Sequence, residues 1–357
     1  MNEMVLLWVG FIGLILALLA LDLGVFHRRA HAVSLREAFF WSAVWIACGL
    51  LFSKFVYFGY QHHWFGLGTM PDPVDRAMNN GTTAALKYLT GFVVEKSLSA
   101  DNIFVIAMIF NFFGVPPIYR HRVLFWGIVG ALVLRGVMIA IGATLVARFT
   151  WILLIFGVFL IVTGIKMLFL NSEDVDPNKN AAVRLARRLF PVTSRFHGQR
   201  FLVRAGTRGS HEGALPGEED VRDEVVERAR PGTLMLTPLA IALLTVETSD
   251  VIFAVDSIPA IFAITGDPFL VFTSNVFAIL GLRALFFVLS GMIEKFRYLK
   301  VSLSLVLVLI GVKMLVAKKL HHLLGEHFHA IVLAVVLSIL AAGVLFSLAD
   351  GKKRTRA

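Results

Sequence analysis

The sequence predicts an all-α, polytopic membrane protein. Three observations carry this: the composition, about nine long apolar stretches, and a set of motifs that occurs twice. Of 357 residues, 57% are hydrophobic and only 16% are charged, and the mean hydropathy is +0.78. A helix needs about 20 mostly apolar residues to cross the hydrocarbon core of a bilayer. Such stretches lie near 4–25, 36–58, 83–112, 121–147, 150–170, 234–264, 269–291, 299–317 and 328–349. With no water to bond a free backbone, stretches of this length are read as helices.

The first stretch is too long for a signal peptide and lacks a small-residue cleavage site, so it is expected to stay as a span. With the second it forms an N-terminal two-helix hairpin over 1–60. Cys48 is the one cysteine, which rules out an intramolecular disulfide. Lys and Arg set the expected orientation. One side holds Arg28, Arg29, Arg36, Arg120, Arg122, Lys295, Arg297, Lys300 and the basic C-terminus, and the other has few basic residues. The N-terminus is therefore expected outside and the C-terminus in the cytoplasm. The net charge of +10 falls mostly on the cytoplasmic side, where it suits topology and anionic lipid rather than nucleic acid.

The middle spans repeat. ADNIFV (100–105) matches SDVIFA (249–254), VLRGVM (133–138) matches GLRALF (281–286), and TGIKML (163–168) matches IGVKML (310–315). The offsets are 149, 148 and 147 residues, so the register is nearly constant across three helices. Spans 3–5 (83–170) thus correspond to spans 6–8 (234–317). Three is odd, so the units enter the membrane from opposite sides as an inverted repeat, with a site expected at their interface. The segment 171–233 separates them as a cytoplasmic loop, and 328–349 is a closing C-terminal helix. Within the loop, AAVRLARRLF reads as a short amphipathic helix, RFLVRAG as an extended piece, and 218–229 as a second short helix.

Glu95 and Asp101 fall in span 3, and Glu247, Asp250 and Asp256 in span 6. One charge at mid-bilayer costs roughly 2.5–3.5 kcal/mol on insertion scales, so five carboxylates in two spans need a reason. At 100° per residue, Glu95, Ser99 and Asn102 share a face, as do Glu247 and Asp250. Pro259 is expected to break the helix near 255–259 and turn Asp256 toward the same cavity. Carboxylate and amide oxygens are hard donors that suit Mg²⁺, Ca²⁺ and Mn²⁺, whereas copper and zinc favour Cys, Met and His. Arg135 and Arg283 hold matching places in spans 4 and 7 and are read as counter-charges, either exchanging with a metal or pairing permanently. With Lys96 they leave acid in excess, which points to a cation or a shared proton; a buried structural network is the alternative. Lys166 and Lys313 sit near span ends, where snorkelling is expected. His62 and His63 fall in the first outer loop, and His321, His322, Glu326, His327 and His329 in the last.

EKSLSADNIFV (95–105), VETSDVIFAVDSIPAIFAI (246–264), SNVFAILGLRALFF (274–287) and GVKML (311–315) together resemble the TerC family of bacterial membrane proteins, most closely its Alx-like branch. The resemblance covers nearly all of 1–350. It implies a LysE-type, multi-pass exporter of Mn²⁺ in the bacterial inner membrane, with Glu95, Asp101, Asn102, Glu247, Asp250 and Asp256 along the metal path. Alternating access with proton coupling is the expected mechanism. Ca²⁺/H⁺ exchange and a membrane scaffold for tellurite or metal stress complexes are the rivals. No P-loop is present and nothing favours an enzyme. No prosthetic group is expected; Mn²⁺ is the substrate, and protons and the lipid bilayer are the other partners. The oligomeric state is not legible.

Overall fold

The computed structural model describes the chain except residues 1–2, 27–33, 150, 170–179, 207–222, 291–297, 325–326 and 355–357. Among the described residues it is helical apart from one short antiparallel pair of strands. The helices are α1 (Glu3–Phe26), α2 (Leu35–Gln61), α3 (Gly81–Phe112), α4 (Pro117–Arg148), α5 (Ile152–Phe169), α6 (Ala181–Leu189), α7 (Glu224–Arg228), α8 (Pro238–Phe262), α9 (Pro268–Ile279), α10 (Leu282–Ser290), α11 (Leu299–Leu324) and α12 (Phe328–Arg354). Strands β1 (Leu202–Arg204) and β2 (Leu234–Leu236) pair antiparallel, with Val203 opposite Met235. Proline opens α4, α8 and α9, where its missing N–H has no helical partner to lose.

Among the described residues, seven helices are long and apolar enough to cross a membrane: α1, α2, α4, α5, α8, α11 and α12. Helices α9 and α10 together make an eighth, bent by 43°. The fold is therefore an all-α polytopic membrane protein. Helix α3 matches the third predicted stretch in place and length but carries Lys87, Glu95, Lys96 and Asp101, and the count of nine rests on it. The short α6, β1 and α7 fall where the loop reading places two helices and an extended piece.

The expected break at Pro259 is not there. Helix α8 runs through it to Phe262. Pro259 stands three residues before the helix end, so it removes one bond and the last turn still forms, with the Ala263 N–H reaching the Pro259 carbonyl at 2.9 Å. The break in this half of the chain lies instead between α9 and α10.

The chain divides into two compact units. The first comprises 1–101, 135–171 and 254–357. Its core joins Leu160 of α5, Phe262 of α8, Val271 of α9, Ile310 of α11 and Val336 of α12. Helices α5 and α11 pack closely through small residues. Gly311 faces the Gly157 carbonyl, which a Cβ would approach to 2.7 Å, and Gly164 faces the Ser304 carbonyl, at 2.9 Å from its would-be Cβ. The Ser304 hydroxyl donates to the Gly164 carbonyl. Under the 147-residue offset, Gly157 corresponds to Ser304 and Gly164 to Gly311, so the two contacts exchange. That is the pattern a two-fold axis between α5 and α11 would produce.

The same unit buries a polar cluster around Lys87. Its ammonium lies 2.8 Å from Asp72 Oδ2, 2.7 Å from Asp75 Oδ2 and 2.7 Å from Asn79 Oδ1. Asp72 also accepts from the Thr265 hydroxyl at 2.5 Å and the Gly266 N–H at 2.8 Å. Asp267 caps α9 and accepts from the Tyr60 hydroxyl at 2.7 Å. His329 approaches Asp75 at 3.4 Å. Burial pushes the Asp75 carboxyl up, but His329 and Lys87 outweigh it and hold the group well below the usual carboxylate range. Asp267 goes the other way, raised by burial and by Asp72 against the bond from Tyr60. Two readings need correction here. Lys313 does not snorkel: it is buried, donates to the Ala263 carbonyl at 2.8 Å and stands over the Phe328 ring. Lys166, by contrast, is exposed. His329 is no loop residue but lies in the first turn of α12. His62, His63 and His327 are exposed, while the side chains of His321, His322 and Glu326 lie outside the described residues.

The second unit comprises 102–134 and 172–253. Within it, Ala205, Val226 and Met235 form a small buried cluster. Asp223 organises it, capping α7 through the Val225 N–H at 3.0 Å and accepting from the Ser194 N–H at 3.0 Å and hydroxyl at 2.7 Å.

Two stability outcomes follow. Gly311→Val forces α5 and α11 apart and is expected to cost about 1–3 kcal/mol, whereas Gly13→Ala, with nothing within 4 Å, stays near neutral. Lys87→Met strands two buried carboxylates and is expected to cost about 3–5 kcal/mol, part of it regained when Asp72→Asn is added. Thermal unfolding of the purified protein in detergent checks both.

Candidate functional site

Helix α3 brings its first carboxylate to an arginine. Glu95 and Arg135 are buried, 1% and 2% exposed, and the Arg135 Nη1–H donates to Glu95 Oε1. The same nitrogen approaches the Ser257 hydroxyl of α8 at 3.3 Å. A guanidinium is a permanent charge with planar donors, so it can neutralise a buried carboxylate without a proton. Asp101, six residues on, is half-buried and interacts electrostatically with Lys300 of α11. Asp256 is also half-buried. It lies 3.5 Å from the Thr163 hydroxyl and within electrostatic reach of Lys166, both on α5. These three acids belong to the first unit.

Asn102, Glu247 and Asp250 belong to the second. Asn102 is buried. Glu247 packs against Gly130 of α4, where a Cβ would collide with its carboxylate. Its Oε2 is buried and has no hydrogen-bond partner. Asp250, one turn on, is near enough to repel it. Between them, Thr248 accepts at 2.8 Å from Asn180, the residue that caps α6. Among the described residues, no three Asp, Glu, His or Cys side chains converge as a group that could hold a metal ion.

The counter-charges differ from the sequence reading in two ways. Arg135 does pair with a predicted acid. Arg283 does not: its Nη2–H donates to Asp22 Oδ1 at 2.8 Å, and both side chains are buried. Asp22 sits at the end of the first apolar stretch, in ALDLGVF, and passes there for a terminal charge. Its signal is that an acid within a span calls for a basic partner elsewhere in the bundle. Lys96 likewise serves no carboxylate in this conformation. It donates to the Ala278 and Leu280 carbonyls at 3.0 and 3.1 Å.

Chemically, the arrangement holds one neutralised buried acid, Glu95, and one buried acid oxygen with no donor, on Glu247. Glu95 is balanced already. Glu247 is balanced only by a proton or a cation.

Comparison with known proteins agrees with the motif reading. The chain is 47% identical over 308 residues to the membrane protein STKORF319 of Myxococcus xanthus, covering 86% of this chain and 82% of that one. It is 42% identical over 337 residues to a Photorhabdus laumondii protein, covering 94% of each. A protein of Escherichia coli K12 is 41% identical over 317 residues, covering 88% of this chain and 87% of that one. The latter two are named Alx and described as suggested membrane-bound redox modulators. No solved structure matches the chain. Residues 80–355, which carry both acidic motifs, match the family described as integral membrane protein TerC, and the chain belongs to the TerC family of integral membrane proteins.

Proposed function

We propose that this chain exports Mn²⁺ across the bacterial inner membrane by alternating access, in exchange for protons. The observation that carries the reading is Glu247. Its carboxylate is pressed against Gly130 in a spanning helix, with one oxygen buried and without a donor. A carboxylate so placed takes up a proton or a cation, and alternation between the two is the elementary step of exchange. Its neighbour Asp250 offers further hard oxygens, and Asn102 of the same unit is another donor of the type Mn²⁺ accepts. Asp101 and Asp256 supply the same chemistry in the first unit. Arg135 holds Glu95 charged while no metal is bound.

The basic residues support an N-terminus outside and a C-terminus in the cytoplasm. Ca²⁺ shares the oxygen preference and is the nearest competing substrate. Thiol redox chemistry finds less support, since Cys48 is the one cysteine in the sequence and provides no dithiol couple. Repeats 83–170 and 234–317 are the bodies that would rock past each other.

Flux measurements in proteoliposomes test the reading. Mn²⁺ is expected to move faster than Zn²⁺ or Cu²⁺; Zn²⁺ flux equal to that of Mn²⁺ defeats the hard-donor argument. Asp101→Asn and Asp250→Asn keep shape and delete charge. Each is expected to accumulate normally and lower Mn²⁺ export by roughly ten-fold or more, the least that disturbing a metal's ligand shell costs. Glu224→Gln, on the exposed face of α7, keeps the parental rate. If both Asn variants are abundant and export normally, the site lies elsewhere. If they fail to accumulate, the carboxylates hold the fold and no metal.

A further inference from the structure

We propose that the break between α9 and α10 is a further cation site, selective for a small monovalent ion and occupied in this conformation by the Lys96 ammonium. Helix α9 ends at Ile279 and α10 resumes at Leu282. Gly281 makes the turn at φ +79°, against the Trp45 side chain, which a Cβ would approach to 2.5 Å. Only glycine meets both demands.

The break has a cost that a straight helix avoids. In a continuous helix the Ala278 and Leu280 carbonyls would accept from the next turn. Here they point out of the ladder within a spanning segment, where each unsatisfied group costs several kcal/mol. They are satisfied by a cation, since Lys96 Nζ lies 3.0 Å from one and 3.1 Å from the other. The carbonyl end of a helix is also the negative end of its dipole. Two neutral oxygens at such an end hold an ammonium, and a bare ion of similar size meets the same field. Half-helix C-termini and unwound carbonyls coordinate monovalent ions in broken-helix transporters.

A second observation comes from Asn275. It is 1% exposed, and neither its amide oxygen nor its nitrogen has a hydrogen-bond partner. It lies one turn before Ala278 in α9 and does not reach the Lys96 ammonium in this conformation. An unpartnered buried amide is costly to leave dry, and its oxygen is a hard ligand. The ligands of the proposed site are the Ala278 and Leu280 carbonyls, joined by Asn275 Oδ1 turning toward them when Lys96 leaves. All are neutral, which suits Na⁺ or K⁺ better than a divalent ion. Lys96 is a tethered occupant on a flexible stem, next in the chain to Glu95, and its withdrawal opens the site. The proposal goes beyond Mn²⁺ export, and its test measures equilibrium stability, so its failure leaves the carboxylate reading to the flux assay.

The full-length protein and Lys96→Met are purified in detergent and unfolded by heat in NaCl, KCl or choline chloride at equal ionic strength, with Mn²⁺ as a fourth arm. Lys96→Met is expected to unfold at least about 3 °C higher in Na⁺ or K⁺ than in choline, while the parent, its site filled, does not respond. Adding Asn275→Leu, a swap of similar volume, abolishes the response. If Lys96→Met fails to accumulate, Lys96→Gln, whose amide still donates to one carbonyl, is expected to behave the same way. A variant equally unstable in all salts shows that Lys96 is only a helix cap and overturns the site. Stabilisation by Mn²⁺ alone overturns the monovalent assignment. A response that survives Asn275→Leu overturns the ligand set.

Discussion

A spanning segment has no water to turn to, so every polar atom within it must find its partner inside the chain. Much of this structure answers that constraint. Glu95 is met by Arg135, Asp22 by Arg283, and Asp72 and Asp75 by Lys87. The carbonyls freed at the α9–α10 break are met by Lys96. These bonds join residues far apart in sequence, 40 positions for Glu95 and Arg135 and 261 for Asp22 and Arg283. They therefore fix which helices neighbour each other. Greasy helices alone leave that choice open, since lipid tails are as apolar as leucine. Removing one partner costs more than the bond was worth, because the other is left charged and dry.

The sequence showed the class of fold and the acids, and it did so for a simple reason. Length and hydropathy of a span are local properties, and a carboxylate in an apolar run stands out by itself. Pairing is not local. Nothing in ALDLGVF says that Asp22 reaches Arg283, and the matched positions of Arg135 and Arg283 invited the same role for both. The break was misplaced for a related reason. Pro259 is the obvious helix breaker, yet at three residues from a helix end it has little left to break. The true break was signalled by the repeat. Gly281 corresponds to Val133, and α4 runs through Val133 without interruption. A glycine where the other copy has a β-branched residue marks a place where one copy turns and the other does not.

The segment between the repeats obeys different rules. Residues 194–197 and the start of α7 gather around Asp223 as they would in a small water-soluble domain. Burial pushes the Asp223 carboxyl up, but donors from Ser194, Arg195, Val225 and His197 outweigh it and hold the group below the usual range. A carboxylate so held supports the fold fully above the ordinary carboxylate range and loses that support as pH falls through its lowered value. Neutral conditions leave it intact. One link from this segment to the spans is Asn180, which caps α6 and reaches Thr248 between two of the predicted ligands. A change in α8 near Glu247 therefore reaches the cap of α6 through one bond.

Alternating access needs two arrangements of similar energy, and a repeated sequence offers a route to them. The α5–α11 contact already exchanges with itself under the repeat offset. The polar pairs do not. Arg135 holds an acid of its own repeat, whereas Arg283 holds one outside both. Lys313 is buried over the Phe328 ring, whereas its counterpart Lys166 is exposed near Asp256. On the proposed alternating access, such asymmetric pairing of sequence-matched residues belongs to one of two end states. That proposal then expects the matched residues to trade environments in the other, Lys166 moving inward and Lys313 outward, while the glycine contact between α5 and α11 stays as it is.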